Sequence, residues 1–118
     1  MIIDYGYLRE TYYHLDRAMG TLLCHYQHQA HADPFLYPGL QDITAHIDFS
    51  RVITAAQQNN LPLKFFQTQA EFLLQNGLLD LLPTPQNPLA YSQAAQQVKR
   101  LTMPNEMGES FKVLSLAR

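Results

Sequence analysis

Two sets of polar side chains in this 118-residue chain have the types and positions to do chemistry. Asp4 and Tyr5 follow directly on the apolar run Met1-Ile2-Ile3. Such a run reads as a buried strand that breaks at Asp-Tyr-Gly into a turn. Ligands of open α/β sheets bind at the carboxyl ends of strands, where a carboxylate can accept hydrogen bonds from a bound ligand. The competing role for Asp4 is to cap the turn closed by Gly6. The second set is Asp42, Thr44, His46 and Asp48, a polar cluster able to line the mouth of a substrate site. Asp42 and Thr44 are equally suited to organising the turn after Gly39. Asp48 is a good helix N-cap, and capping is its preferred role.

Other reactive types carry less. His25, His28 and His31 recur every third residue. On a helix that spacing drifts by about 60° per step, so three ligands would fan out. No cysteine pair or Glu-x-x-His motif completes a metal site, and aromatic packing or solvent-facing histidines are the expectation. Cys24 beside His25 lacks a third, orienting group and reads as a buried structural cysteine. Glu109, in Met-Gly-Glu, either approaches the site or closes the turn into the last strand.

The elements that must position these residues follow from pattern and punctuation. Residues 8–46 are aromatic- and histidine-rich with poor periodicity, so an irregular insertion with one short helix is expected there. A helix begins near Asp48 or Ser50, carries Val52, Ile53, Ala55 and Ala56, and stops at Asn59-Asn60. Leu63 to Gln67 reads as a strand. Thr68 caps a second helix, Gln69 to Asn76, ended by Gly77. Three prolines within 83–88 demand a loop. Ala90 to Leu101 is a third helix with Lys99 and Arg100 in its last turn, where cations oppose the helix dipole. Phe111 to Arg118 is a terminal strand.

Length suits one compact unit, residues 1–118, with a small mixed sheet of about three strands and flanking helices. Charged residues make up only 15% of the chain, against about 25% in an average soluble domain, which implies apolar faces covered by something else. Eight basic and ten acidic residues give a net charge of −2. Mixed along the chain, they leave no basic footprint for nucleic acid. One cysteine implies a reducing compartment. No apolar run nears the roughly 20 residues of a membrane span, and no signal peptide precedes the first element, so a cytoplasmic location without membrane contact is expected. Domains seldom open on a central strand, so Met1 is expected to be an internal or imposed start.

Taken in order, Ile-Asp-Tyr-Gly at 3–6, Pro-Gly-Leu-Gln-Asp-Ile-Thr-Ala at 38–45, Ile-Asp-Phe-Ser at 47–50, Gln69-x-x-Phe72-Leu73-x-x-x-Gly77 and Met107-Gly108-Glu109-x-Phe111 resemble the carboxyl-terminal part of the MidA family. These are methyltransferase-like proteins whose mitochondrial members help assemble respiratory complex I and methylate a protein arginine. The resemblance covers nearly the whole chain. It implies an α/β fold, a partial Rossmann-like methyltransferase sheet in which Ile2 to Tyr5, Leu63 to Gln67 and Phe111 to Ala117 are the fifth, sixth and seventh strands, the seventh antiparallel.

The cofactor so implied is S-adenosylmethionine. The glycine-rich turn and the acidic residue that normally hold it have no counterpart here, since the five glycines are scattered and no Gly-x-Gly occurs. The expectation is a truncated methyltransferase, inactive by itself and binding no cofactor alone. Asp4, Tyr5, Asp42 and Thr44 are its substrate-binding residues, orienting a protein arginine when intact; no catalytic base is assigned. Its partners would be a protein substrate or the missing amino-terminal half. The alternative is a non-enzymatic interaction module that pairs with a separate chain or with itself as a homodimer, through the exposed flank of the first strand.

Overall fold

The computed structural model describes residues 1–83 and 86–117. In chain order the elements are β1 (Ile2–Tyr7), α1 (Arg9–Tyr12), a 3-10 turn (Leu15–Arg17), β2 (Leu23–Tyr26), β3 (Gln29–His31), β4 (Asp42–Thr44) and β5 (Ile47–Asp48). There follow α2 (Phe49–Gln58), β6 (Leu63–Thr68), α3 (Gln69–Gln75), a second 3-10 turn (Leu78–Leu81), α4 (Pro88–Thr102) and β7 (Phe111–Leu116). The fold is mixed α/β. The chain divides into two compact units, one of residues 1–5 and 52–118, the other of residues 6–51.

In the first unit β7 lies between β1 and β6 and runs antiparallel to both, so β1 and β6 point the same way. Alternation along Phe-Lys-Val-Leu-Ser-Leu puts both faces of β7 to use, and Val113 and Leu114 are fully buried. α3 packs on β6, β7 and α4. Its start is a reciprocal cap: the Thr68 hydroxyl accepts from the Glu71 N–H while the Glu71 carboxylate accepts from the Thr68 N–H. Gly77, at φ +81°, takes the left-handed position that ends the helix. The buried Gln69 donates its side-chain amide to the Leu101 carbonyl at 3.0 Å, tying α3 to α4. Gly108 is buried where a Cβ would fall on the Thr102 backbone, and its carbonyl accepts from the Ala70 N–H.

Two local expectations shift. α4 starts at Pro88 rather than Ala90. A proline at the first helical position gives up an N–H that has no partner there anyway, and the Asn87 side chain caps the Ala90 N–H. Of the loop expected at 83–88, Thr84 and Pro85 lie outside the described residues. Ile2 and Ile3 are in a strand but are not buried: 39% and 48% of their surface is exposed. An apolar run needs covering neighbours to be buried. On the flank of Ile2–Asp4 away from β7, no strand pairs with it among the described residues.

In the second unit the chain between 8 and 46 is not simply irregular. β2 is the centre of a three-stranded antiparallel sheet, with β3 on one side and β4 on the other. Strands of three or four residues are too short to show a period, and the β2–β3 turn uses Gln27 and His28, at φ +48° and +65°, where Asn-Gly would announce a hairpin. Nor does β1 break at Gly6. Gly6 is buried inside the strand and pairs in parallel with Ile47. A Cβ there would collide with the Ile47 backbone and lie 2.9 Å from the Phe49 ring. The glycine permits close approach rather than a turn. Asp48 does cap α2, accepting from the Arg51 N–H at 3.2 Å.

Candidate functional site

The register of the first unit gathers polar groups at one end of its sheet. Asp4 on β1 and Thr68 on β6 are both directly opposite Lys112 on β7, so the three form one row. Residues opposed in this way point to the same face. The row lies at the carboxyl end of β6, the end where open sheets bind ligands, and at the middle of β1, which runs on to Tyr7. Asp4 is half-buried, and its Oδ1 accepts from the Tyr5 N–H at 2.8 Å. The expected turn closed by Gly6 is therefore not what occupies it. The Tyr5 ring meets Phe111 edge-on, with centroids 5.5 Å apart.

Lys112 and Glu71 went unremarked as site residues in the sequence. The Lys112 ammonium donates to the Glu109 carbonyl. Burial pushes its pKa below the ordinary lysine value, while the Glu109 and Glu71 carboxylates act in the opposite sense. The backbone N–H and then the hydroxyl of Thr68 hold the Glu71 carboxyl below the usual glutamate range, with Lys112 adding a smaller pull. The signals that could have found them were the Thr68-x-x-Glu71 capping box and a single lysine inside an otherwise apolar strand. Glu109 closes the turn into β7 and contributes its carbonyl.

In the second unit Asp42 and Thr44 are two apart on β4 and share a face. Asp42 lies opposite His25, and Thr44 opposite Leu23, whose carbonyl accepts from the Thr44 hydroxyl at 3.1 Å. The exposed face thus presents Asp42 and His25 side by side. Cys24, on the other face with His31 and Ile43, is fully buried. His25 and His31 consequently point in opposite directions, and His28 sits in the turn between them. His46 stacks on Tyr7 with centroids 5.0 Å apart, and the Arg17 guanidinium lies 4.3 Å from the centre of the same tyrosine ring. Asp4 with Tyr5 and Asp42 with Thr44 therefore belong to different units.

An apolar cavity of about 190 Å³ opens between the Leu78–Leu81 turn and α4, lined by Leu82, Val98 and Leu101 with Gln97 as a polar neighbour. It has no convergent reactive groups.

The elements and their order match known proteins closely. A COG1565 superfamily protein from Burkholderia thailandensis is 47% identical, with a TM-score of 0.95 over 98% of this chain and 32% of its own. A second structure from Burkholderia thailandensis, described as a COG1565 superfamily member and "likely methyl transferase" bound to S-adenosyl-homocysteine, is 47% identical, with a TM-score of 0.93 over 98% of this chain and 30% of its own. The chain spans about a third of the length of these structures. No curated protein matches it. The family model described as "Putative S-adenosyl-L-methionine-dependent methyltransferase" matches residues 1–69, and the chain belongs to that family.

Gly20, Gly39 and Gly77 have positive φ, but Gly20 follows a 3-10 turn, Gly39 sits in a loop and Gly77 ends α3. None stands between a strand and the start of a following helix, where a nucleotide-like ligand is held. Among the described residues no helix is long and apolar enough to cross a membrane.

Proposed function

We propose that this chain is the acceptor-side portion of an S-adenosylmethionine-dependent methyltransferase of the MidA kind, which in intact form methylates a protein arginine. The observation that carries this reading is the position of β7, antiparallel between β1 and β6. That is the arrangement the methyltransferase resemblance implies for its last three strands, and it puts Asp4 in one row with Thr68 at the carboxyl end of β6. The S-adenosyl-homocysteine in the Burkholderia thailandensis neighbour supports the cofactor assignment.

S-adenosylmethionine supplies an electrophilic sulfonium methyl, and in this reading its cradle belongs to the part of the Burkholderia thailandensis neighbour that this chain does not cover. What this chain does is orient the acceptor. Asp4 accepts hydrogen bonds from guanidinium N–H groups with Tyr5 beside it, and one nitrogen is left facing the methyl group; Asp42 with Thr44 is a separate candidate acceptor position in the other unit. Calorimetry tests the division of labour. The isolated chain is expected to give no heat with S-adenosylmethionine, whereas the chain grafted in place of its counterpart in the Burkholderia thailandensis neighbour is expected to bind it and to form methylarginine detectable by mass spectrometry. Stoichiometric binding by the isolated chain would refute the division.

The bare flank of Ile2–Asp4, with Ile2 and Ile3 exposed, favours a second reading in which the chain pairs through that edge with another chain or with its own copy. Mass in solution separates the two: a stable dimer that binds neither donor nor arginine peptide supports pairing.

A further inference from the structure

We propose that Lys112 is the specificity-determining residue at the Asp4 end of the sheet, and that it makes the site favour a guanidinium over an ammonium. The inference rests on the acceptor reading above. Lys112 stands in one row with Asp4 and Thr68, on the face that Asp4 presents. The charged groups around it come from three elements: Asp4 on β1, Glu71 at the start of α3, and Glu109 in the turn before β7. It pairs with none of their carboxylates within 4.0 Å among the described residues. Its ammonium donates instead to the Glu109 carbonyl.

Two consequences follow from that choice of partner. The Asp4 carboxylate is not neutralised by direct contact, so it stays open to an outside cation. A fixed positive charge nevertheless remains one strand away and opposes whatever cation arrives. An ammonium is a compact, strongly hydrated point charge that must be desolvated beside Lys112. A guanidinium spreads its charge over a plane, is weakly hydrated, and engages a carboxylate through two parallel N–H groups. The same fixed charge therefore penalises lysine more than arginine. Because burial lowers the Lys112 pKa, raising the pH toward it removes the opposing charge while an arginine guanidinium keeps its own.

The test uses the folded 118-residue chain and three otherwise identical short peptides carrying arginine, lysine or citrulline, with affinities read by NMR titration. In Lys112→Met, arginine and lysine peptides are expected to bind about two- to fivefold more tightly, the scale of a screened charge pair. The lysine gain should be the larger and citrulline should not change. Lys112→Arg keeps the charge and should behave as the parent. In the parent, alkaline pH should tighten binding of the arginine peptide; in Lys112→Met it should not. Thermal melts of both variants confirm folding. Equal or weaker cation binding by folded Lys112→Met, or an equal effect on citrulline, overturns this inference alone. Failure of every protein to bind the arginine peptide removes the acceptor reading, and the inference with it.

Discussion

The two units of this chain reach order by different routes. In residues 1–5 and 52–118, six-residue strands β6 and β7 pair along most of their length, α3 is capped at both ends, and the fully buried Val113 and Leu114 sit in the central strand. In residues 6–51, strands run from two to four residues and the fully buried side chains are Cys24 and Phe49. Much of the rest is single turns and aromatic stacks such as Tyr26 on Tyr37. Long paired strands bury area cooperatively, whereas short ones depend on a few tight contacts. The first unit should therefore respond to lost volume, the second to lost fit.

The largest effect tests the first half of that statement. Leu114→Ala should destabilise the chain by about 3 kcal/mol, the range for a buried leucine truncated in a packed core. Cys24→Ala, equally buried in the other unit, should cost about 1 kcal/mol because it removes a single sulfur atom. Urea denaturation measures both. A Cys24→Ala loss as large as that of Leu114→Ala would erase the contrast. Next in size is Gly6→Ala, where the added methyl meets Ile47 backbone and the Phe49 ring. Overpacking of this kind should cost about 2 to 3 kcal/mol, and amide exchange should show the loss concentrated in β5.

The cap of α3 sharpens the description of the first unit. Thr68→Ala should cost about 1 kcal/mol through the lost bond to the Glu71 N–H. The Glu71 carboxyl is held below its ordinary value of 4.5, chiefly by the Thr68 N–H. Folding is thus favoured by that carboxylate above this pH, and the contribution is lost as pH falls through the lowered value. Thr68→Ala should flatten this part of the acid limb of a stability curve; an unchanged limb would mean that Glu71 does not report on the cap.

The same contrast explains what the sequence could disclose. β6, α3 and β7 were legible because each carries its own punctuation: the Thr68 cap, Gly77, and an apolar run at Phe111 with no competing period. Asp48 was legible as a cap for the same reason. β2, β3 and β4 were not, since three residues cannot establish alternation. Gly6 was misread because a glycine after a short strand looks like a turn whether it bends the chain or admits a neighbour. Asp4 and Tyr5 drew notice as candidates through their place after an apolar run. Lys112 did not, because its significance comes from register with Asp4 and Thr68, which are 108 and 44 positions away in sequence and share nothing local with it.

The smallest expected effect is the most specific to the second unit. Gln27 and His28 both occupy left-handed backbone at the β2–β3 turn, where a side chain with a Cβ crowds the following carbonyl. Tyr26 and Gln29 flank the turn as a paired position, so the two turn residues must keep those angles for the hairpin to close. His28→Gly removes the crowding and should stabilise the chain by about 0.5 kcal/mol, a net figure because glycine also gains freedom in the unfolded state. At the end of α3 the left-handed position is already filled by Gly77, and Gly77→Ala there should destabilise by about 1 kcal/mol. Opposite signs for the two substitutions would show that the hairpin retains strain which α3 has relieved. Destabilisation by His28→Gly would mean that the histidine side chain itself holds the turn.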